Sequence, residues 1–175
     1  MNTKQLTAAA LMAALISVLA PLSIPLAGQV PVSLATLAVM LSGALIGSKA
    51  GTLSALIYLL LGFIGIPVFA GWTSGAGILF GMTGGYLFGY LPLAFVTGLF
   101  YEKKESPLSL FLGMLAGTVI LYVLGTLWFM KYTGMALVAS LSACVSPFLP
   151  GDLLKMILVV ILAPRIHPAA MKLMK

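Results

Sequence analysis

Of the chain's 175 residues, 62% are hydrophobic and only 7% charged, against about 25% charged in soluble domains. With a mean hydropathy of +1.20, this excludes a soluble fold and predicts an all-α polytopic membrane protein, a single integral domain over residues 1–175. The net charge of +6 comes with no basic stripe or base-stacking motif, so no nucleic-acid partner is expected; a positive excess in short loops between apolar runs points to a lipid bilayer. The lone Cys144 excludes an internal disulfide and a multi-cysteine metal site, and no metal is expected.

A bilayer core of about 30 Å requires roughly 20 apolar residues in a helix. Apolar runs at 5–22, 32–48, 51–66, 76–100, 107–130 and 150–171 predict six transmembrane helices. Lys4 ahead of "LTAAALMAALISVLA" resembles a leader, but its charged region is minimal and further apolar runs follow, so a retained first helix is expected. That run repeats alanine four apart, at Ala9 and Ala13 and again at Ala10 and Ala14. Such a flat face suits close helix association, inside the chain or with a partner. The second and third runs are short and joined by "GSKAG", and the fourth carries Gly77, Gly81, Gly85 and Gly89 at every fourth position. Residues 134–147 are apolar but short and Pro-terminated, as in a surface or re-entrant helix, and Pro164 interrupts the last run.

Loop charges orient these spans. With the N-terminus inside, Lys4, Lys49, Lys103, Lys104, Arg165, Lys172 and Lys175 are cytoplasmic, leaving only Lys131 and Lys155 near the outer side. The positive-inside rule then predicts N-in, C-in topology. Segments 23–31, 67–75 and 131–151, rich in Pro and Gly, gather on the outer side, where an irregular backbone can hold one shape.

In "FLPGDLLKMILVVILA", Asp152 and Lys155 share a helix face at i and i+3. Asp152 sits near the helix start, where the dipole favours an anion. A cap plus structural ion pair would account for them, but ionisable groups inside a membrane tend to mark substrate paths. "FAGWTSGAGILFGMTGGYLFGY" adds Phe69, Trp72, Tyr86 and Tyr90 as flat amphipathic surfaces, and Thr83, Gly84 and Gly85 as a place where backbone amides are exposed. An aromatic belt with small-residue packing is the plainer reading. Converging with the charged pair, the segment reads as an apolar pocket with a few polar anchors.

There is no phosphate-binding loop, since "GALIGSKAG" lacks its spacing. His167, the lone histidine, stands at the inner end, and no nucleophile–base–orienter set is visible. The chain is therefore not expected to be an enzyme. Uphill transport would draw on a partner or on protonation of Asp152.

"VPVSLATLAVMLSGALIG", "GIPVFAGW", "GMTGGYLFGY", "LGTLWF" and "FLPGDLLK" occur in an order that closely resembles the BioY family, over at least residues 30–155. These are the biotin-binding S components of energy-coupling-factor (ECF) transporters. The resemblance implies a six-helix S component in a bacterial or archaeal cell membrane that captures biotin from outside. It also implies a T component and two ATPases as partners, which consume the ATP; no cofactor is expected in this chain. It assigns substrate binding to Asp152, Lys155, Tyr86, Thr83, Gly84, Gly85, Trp72 and Phe69, and docking on the T component to Ala9 and Ala13. Ala35 and Met82 stand where the family usually has glutamine and proline. Biotin is longer than the roughly 5–6 Å spanned by an i,i+3 pair, so Asp152 and Lys155 are not expected to hold both its ends. Asp152 suits the ureido N–H groups. The tail carboxylate would meet Lys155 or the amides from Thr83 to Tyr86, with the orientation left open. A stand-alone, proton-coupled vitamin carrier is the alternative.

Overall fold

The computed structural model describes residues 1–24 and 32–174; within the outer segment 23–31, residues 25–31 lie outside that range, as does Lys175. The first helix, α1 (Thr3–Leu19), starts in a capping box in which the Asn2 side chain accepts from Gln5 N at 2.8 Å and the Gln5 side chain accepts from Asn2 N at 3.1 Å. Two-residue strands, β1 (Ser23–Ile24) and β2 (Val32–Ser33), pair antiparallel and bracket residues 25–31. Then come α2 (Ala35–Phe63), a 3-10 turn at Ala70–Trp72, α3 (Ala76–Leu79), α4 (Gly84–Lys103), α5 (Pro107–Thr133), α6 (Leu137–Cys144) and α7 (Leu149–Met174).

Among the described residues, four helices are long and apolar enough to cross a membrane: α2, α4, α5 and α7; α1 is shorter but apolar. The predicted second and third runs are the two halves of α2. Gly47, at φ 83° and ψ 174°, breaks it into 35–46 and 48–63, a conformation that glycine enters without a Cβ penalty. The break is a reversal. A Cβ on Gly51 would stand 2.8 Å from the Cα of Gly43, whereas residues eight apart on a continuous helix are separated by about 12 Å. The halves thus lie side by side with glycine against glycine, and α4 packs on them where Gly98 meets Ser48 and Gly43 meets Ala94.

The fourth run differs more. Its helix begins at Gly84, not at residue 76, because α3 ends at Leu79 and residues 80–83 turn. Gly77 and Gly81 therefore precede α4 and do not continue the stripe of Gly85 and Gly89. Those two face α5, Gly85 against Trp128 and Gly89 against Leu121, and α5 answers with Gly117 against Leu93 and Gly125 against the Tyr86 ring. Small residues on both helices bring the two backbones close. The eight residues of α6 are too few for a bilayer crossing of about 20, in keeping with the short helix expected over 134–147. The last helix continues through Pro164 and Pro168.

The docking role expected of Ala9 and Ala13 does not fit the fold. Both are buried, at 0% and 1% exposure, on the side of α1 that packs against α2. The offset pair, Ala10 and Ala14, faces outward. A periodicity of four marks a small-residue face on either pair, and only the packing of α1 decides which pair is inward.

Candidate binding site

The polar centre of the molecule lies in the first turn of α7. Asp152 and Lys155 are 4% and 7% exposed and form an ion pair at 2.9 Å. Their neighbours come from the far ends of the chain. Lys155 Nζ donates to Ser33 O at 2.8 Å, to Thr36 Oγ1 at 2.9 Å and to Asp152 Oδ1 at 2.9 Å. An ammonium has three N–H donors, and all three are committed within the chain. The Thr36 hydroxyl in turn donates a hydrogen bond to Asp152 Oδ1 at 3.2 Å, and the Tyr122 hydroxyl donates to Asp152 Oδ2 at 2.6 Å. A carboxylate offers about four acceptor positions. Three are occupied here, and Asp152 lines a cavity with the remainder.

That cavity is a recess of about 50 Å³ walled by Tyr86, Tyr90, Leu121, Tyr122, Cys144 and Phe148. Through Ser33, Tyr86 and Tyr90 it joins a wider chamber of about 280 Å³, lined also by Phe69, Ala70, Thr73, Ile78, Met82, Thr83 and Leu87. Tyr86 is braced, its hydroxyl 3.2 Å from Thr126 Oγ1 and 3.5 Å from Cys144 O. Phe69 is set edge-on to Tyr58 at 5.6 Å and seats its ring against Gly62, where no Cβ would fit. Burial pushes the Cys144 thiol above its ordinary value, so it stays neutral. A cavity of about 460 Å³ at the opposite end, between α1 and α7, is larger, but only Lys4 and Thr7 give its lining a polar group.

The structure therefore brings together Asp152, Lys155, Tyr86, Thr83 and Phe69, with the first three in the recess and the last two in the chamber. It does not bring Gly84, Gly85 or Trp72 into either lining. Gly84 rests on Leu79 and the Trp128 indole, and Gly85 packs against Leu124 and Trp128. Trp72 is 63% exposed at the end of its 3-10 turn with φ 61°, a conformation uncommon without glycine. Of the amides near Thr83, two are engaged, Gly84 N to Gly81 O at 3.0 Å and Tyr86 N to Thr83 O at 3.1 Å, whereas Thr83 N has no acceptor among the described residues. Neither Gly84 N, Tyr86 N nor Lys155 has a proton to spare for a ligand carboxylate.

Two residues in the site, Thr36 and Tyr122, escaped the sequence reading, and a third, Tyr90, was read there only as an aromatic surface. Thr36 stands beside Ala35, whose glutamine the family pattern would expect, and supplies a hydroxyl from the same turn. Tyr122 is one aromatic among many in α5. Tyr90 lines both cavities, and its hydroxyl makes no hydrogen bond among the described residues. Tyr90 and Asp152 thus line the same recess, one with an uncommitted hydroxyl among the described residues and the other with acceptor capacity.

The sequence pattern that defines the BioY family matches residues 1–172. The chain belongs to the BioY family. Relatives within it include biotin transporter BioY2 of Lactococcus lactis subsp. cremoris, 42% identical over 163 residues that cover 91% of this chain and 89% of that one. Biotin transporter BioY of Thermotoga maritima is also 42% identical over 163 residues, 93% of this chain and 95% of its own. Among solved structures, the S-component for biotin from an ECF-type ABC transporter superimposes with a TM-score of 0.87 and 32% identity, over 96% of this chain and 95% of that chain. The two chains share one fold.

Proposed function

We propose that the chain is the substrate-capturing membrane subunit of an ECF transporter and that its ligand is biotin. The observation that carries this reading is the recess, where an unfilled acceptor position on Asp152 and the free Tyr90 hydroxyl lie below an aromatic chamber. A cyclic urea needs both partners. Its N–H groups donate to Asp152, its carbonyl accepts from Tyr90, and the apolar ring and chain fill the space toward Phe69 and Ile78. Lys155 is the positioning residue. It neutralises Asp152 and ties the Ser33 backbone to α7, so that the carboxylate is held at one angle before ligand arrives.

The transport reading is supported by relatives named as biotin transporters. With α1, the two halves of α2, α4, α5 and α7 as six spans, the positive-inside rule puts the site at the outer face of the cell membrane and both termini inside. The chain is then a transporter subunit and not an enzyme, with ATP consumed by two partner ATPases through a T component. The outward Ala10–Ala14 face of α1, in place of Ala9 and Ala13, is the small-residue surface that would meet the T component. Titration calorimetry of purified protein with biotin tests the site; absence of binding ends the proposal. Uptake into liposomes with and without the partner subunits tests the mechanism, and uptake by the chain alone would make it a stand-alone carrier. Ala10→Leu should keep biotin binding while abolishing partner-driven uptake.

A further inference from the structure

We infer that the groove between α1 and α7 is a binding site for an anionic phospholipid of the inner leaflet, with an acyl chain in the groove and the phosphate on three cations at its mouth. This goes beyond biotin capture and draws on the reading above only for a chain embedded in the bilayer with this end at the cytoplasmic face. Helices α1 and α7 both pack on α2 and leave between them a cavity of about 460 Å³. Its floor is Leu45 and Ile46 of α2, both buried, and its walls include Ala8 and Leu11 on one side and Ile166 and Ala169 on the other. The lining is apolar except at Lys4 and Thr7, near the start of α1. From Lys4 to Leu11 the groove is about 10 Å high, at a helical rise of about 1.5 Å per residue. Exposed apolar ridges continue it toward the membrane centre: Leu11, Leu15 and Val18 on α1, and Ile166, Leu162 and Leu158 on α7. Spacings of three and four keep each ridge on one helix face. An extended hydrocarbon chain lying between the two ridges matches this shape.

The charges at the mouth decide which lipid. Lys4 lines the groove directly. On α7, Arg165 and Lys172 stand four residues before and three residues after Ala169 of the lining, so both are its neighbours on the same side of the helix. All three cations are exposed, and none forms an ion pair with a described residue. The chain has only three acidic residues. Asp152 is at the other end of α7, and Glu102 and Glu105 line the neighbouring cavity beyond Ile46, not this groove. An apolar partner helix seated here would leave the three cations unanswered. A phosphate diester answers them, because charge-assisted hydrogen bonds from Lys and Arg to phosphate oxygens are among the strong ones. Basic pockets between transmembrane helices on the cytoplasmic side hold anionic head groups in this way. Ala10 and Ala14, the face proposed above for the T component, do not line the groove, so lipid and partner use different sides of α1.

The test is native mass spectrometry of the purified full chain, titrated in detergent with dioleoylphosphatidylglycerol or dioleoylphosphatidylcholine. The expected result is one site that binds the anionic lipid at least about tenfold more tightly, since each cation beside an anionic head group adds to the attraction. The triple variant Lys4→Gln, Arg165→Gln, Lys172→Gln should bring the two lipids within about twofold of each other, while Lys131→Gln, in the last turn of α5, keeps the preference. Ala169→Phe should weaken both lipids, because its ring takes the place of the acyl chain; Ala169 is exposed, and a thermal scan separates a filled groove from a lost fold. Equal binding of the two lipids by the unsubstituted chain, or a preference that survives the triple variant, overturns the inference. If Ala169→Phe leaves lipid binding unchanged and instead abolishes co-purification with partner subunits, the groove belongs to a partner helix and the inference falls.

Discussion

Two carboxylates, Asp152 and Glu102, each join α2 to another helix, and they do so to different ends. At the Gly47 reversal, Glu102 accepts from Ser48 N and from Ser48 Oγ, both at 2.8 Å. It caps the second half of α2 from α4 at an exposed position, beside two cavities of about 310 and 390 Å³ that it lines. Asp152 is buried, holds Thr36 at the start of α2, and keeps acceptor capacity toward a cavity. A carboxylate at a helix start can be a cap in both cases. What separates the two is burial: Asp152 is 4% exposed in a recess walled by tyrosines, whereas Glu102 is exposed to solvent that can fill its spare acceptor positions.

That contrast can be broken by substitution, and the largest effect belongs to Asp152. Asp152→Asn keeps the shape but loses the charge, and biotin affinity should fall by about 100-fold or more, as removal of a charged acceptor contact implies; calorimetry with a parallel thermal scan separates lost binding from lost folding. Tyr90→Phe should come next, weakening biotin about tenfold through loss of one donor, with an unchanged melting temperature because that hydroxyl bonds to none of the described residues. Tyr122→Phe acts through Asp152 and should weaken binding by a smaller factor, about fivefold, while lowering stability by about 1 kcal/mol. A Tyr122→Phe variant with full affinity would show that Lys155 and Thr36 alone orient the carboxylate. Glu102→Gln should leave biotin affinity where it was and lower stability by about 1 kcal/mol; any large change in affinity would mean that the two ends are coupled and that the distinction between cap and binder fails.

How far the residues themselves foretold this is uneven, and the reasons are physical. Asp152 and Lys155 stood out because charge inside an apolar run is costly and seldom incidental, and a three-residue spacing on a helix fixes their mutual approach. Their partners Ser33, Thr36 and Tyr122 did not stand out, since they lie 122, 119 and 30 residues away from the atoms they bond and nothing local signals such pairings. The glycine repeat in 77–89 was visible but misleading. Spacing by four assumes an unbroken helix, and the turn at residues 80–83 puts Gly77 and Gly81 on a different element from Gly85 and Gly89. Gly84 and Gly85, read as ligand-facing amides, make room for Trp128 instead. The alanine face of α1 was legible as a face, while its direction depended on which side α2 occupied. The short pair of runs joined by "GSKAG" falls on either side of Gly47, the one residue of α2 with a non-helical backbone, because a glycine there lets the chain turn back.

The reversal at Gly47 also decides what can be short. At about 1.5 Å per residue, the halves of α2 reach about 18 and 24 Å, while the 27 residues of α5 reach about 40 Å on the same scale. Against a bilayer core of about 30 Å, each half falls short and α5 does not. The shorter half, 35–46, has no exposed residue, so neighbouring helices surround it where a helix on the rim of the bundle would need full length.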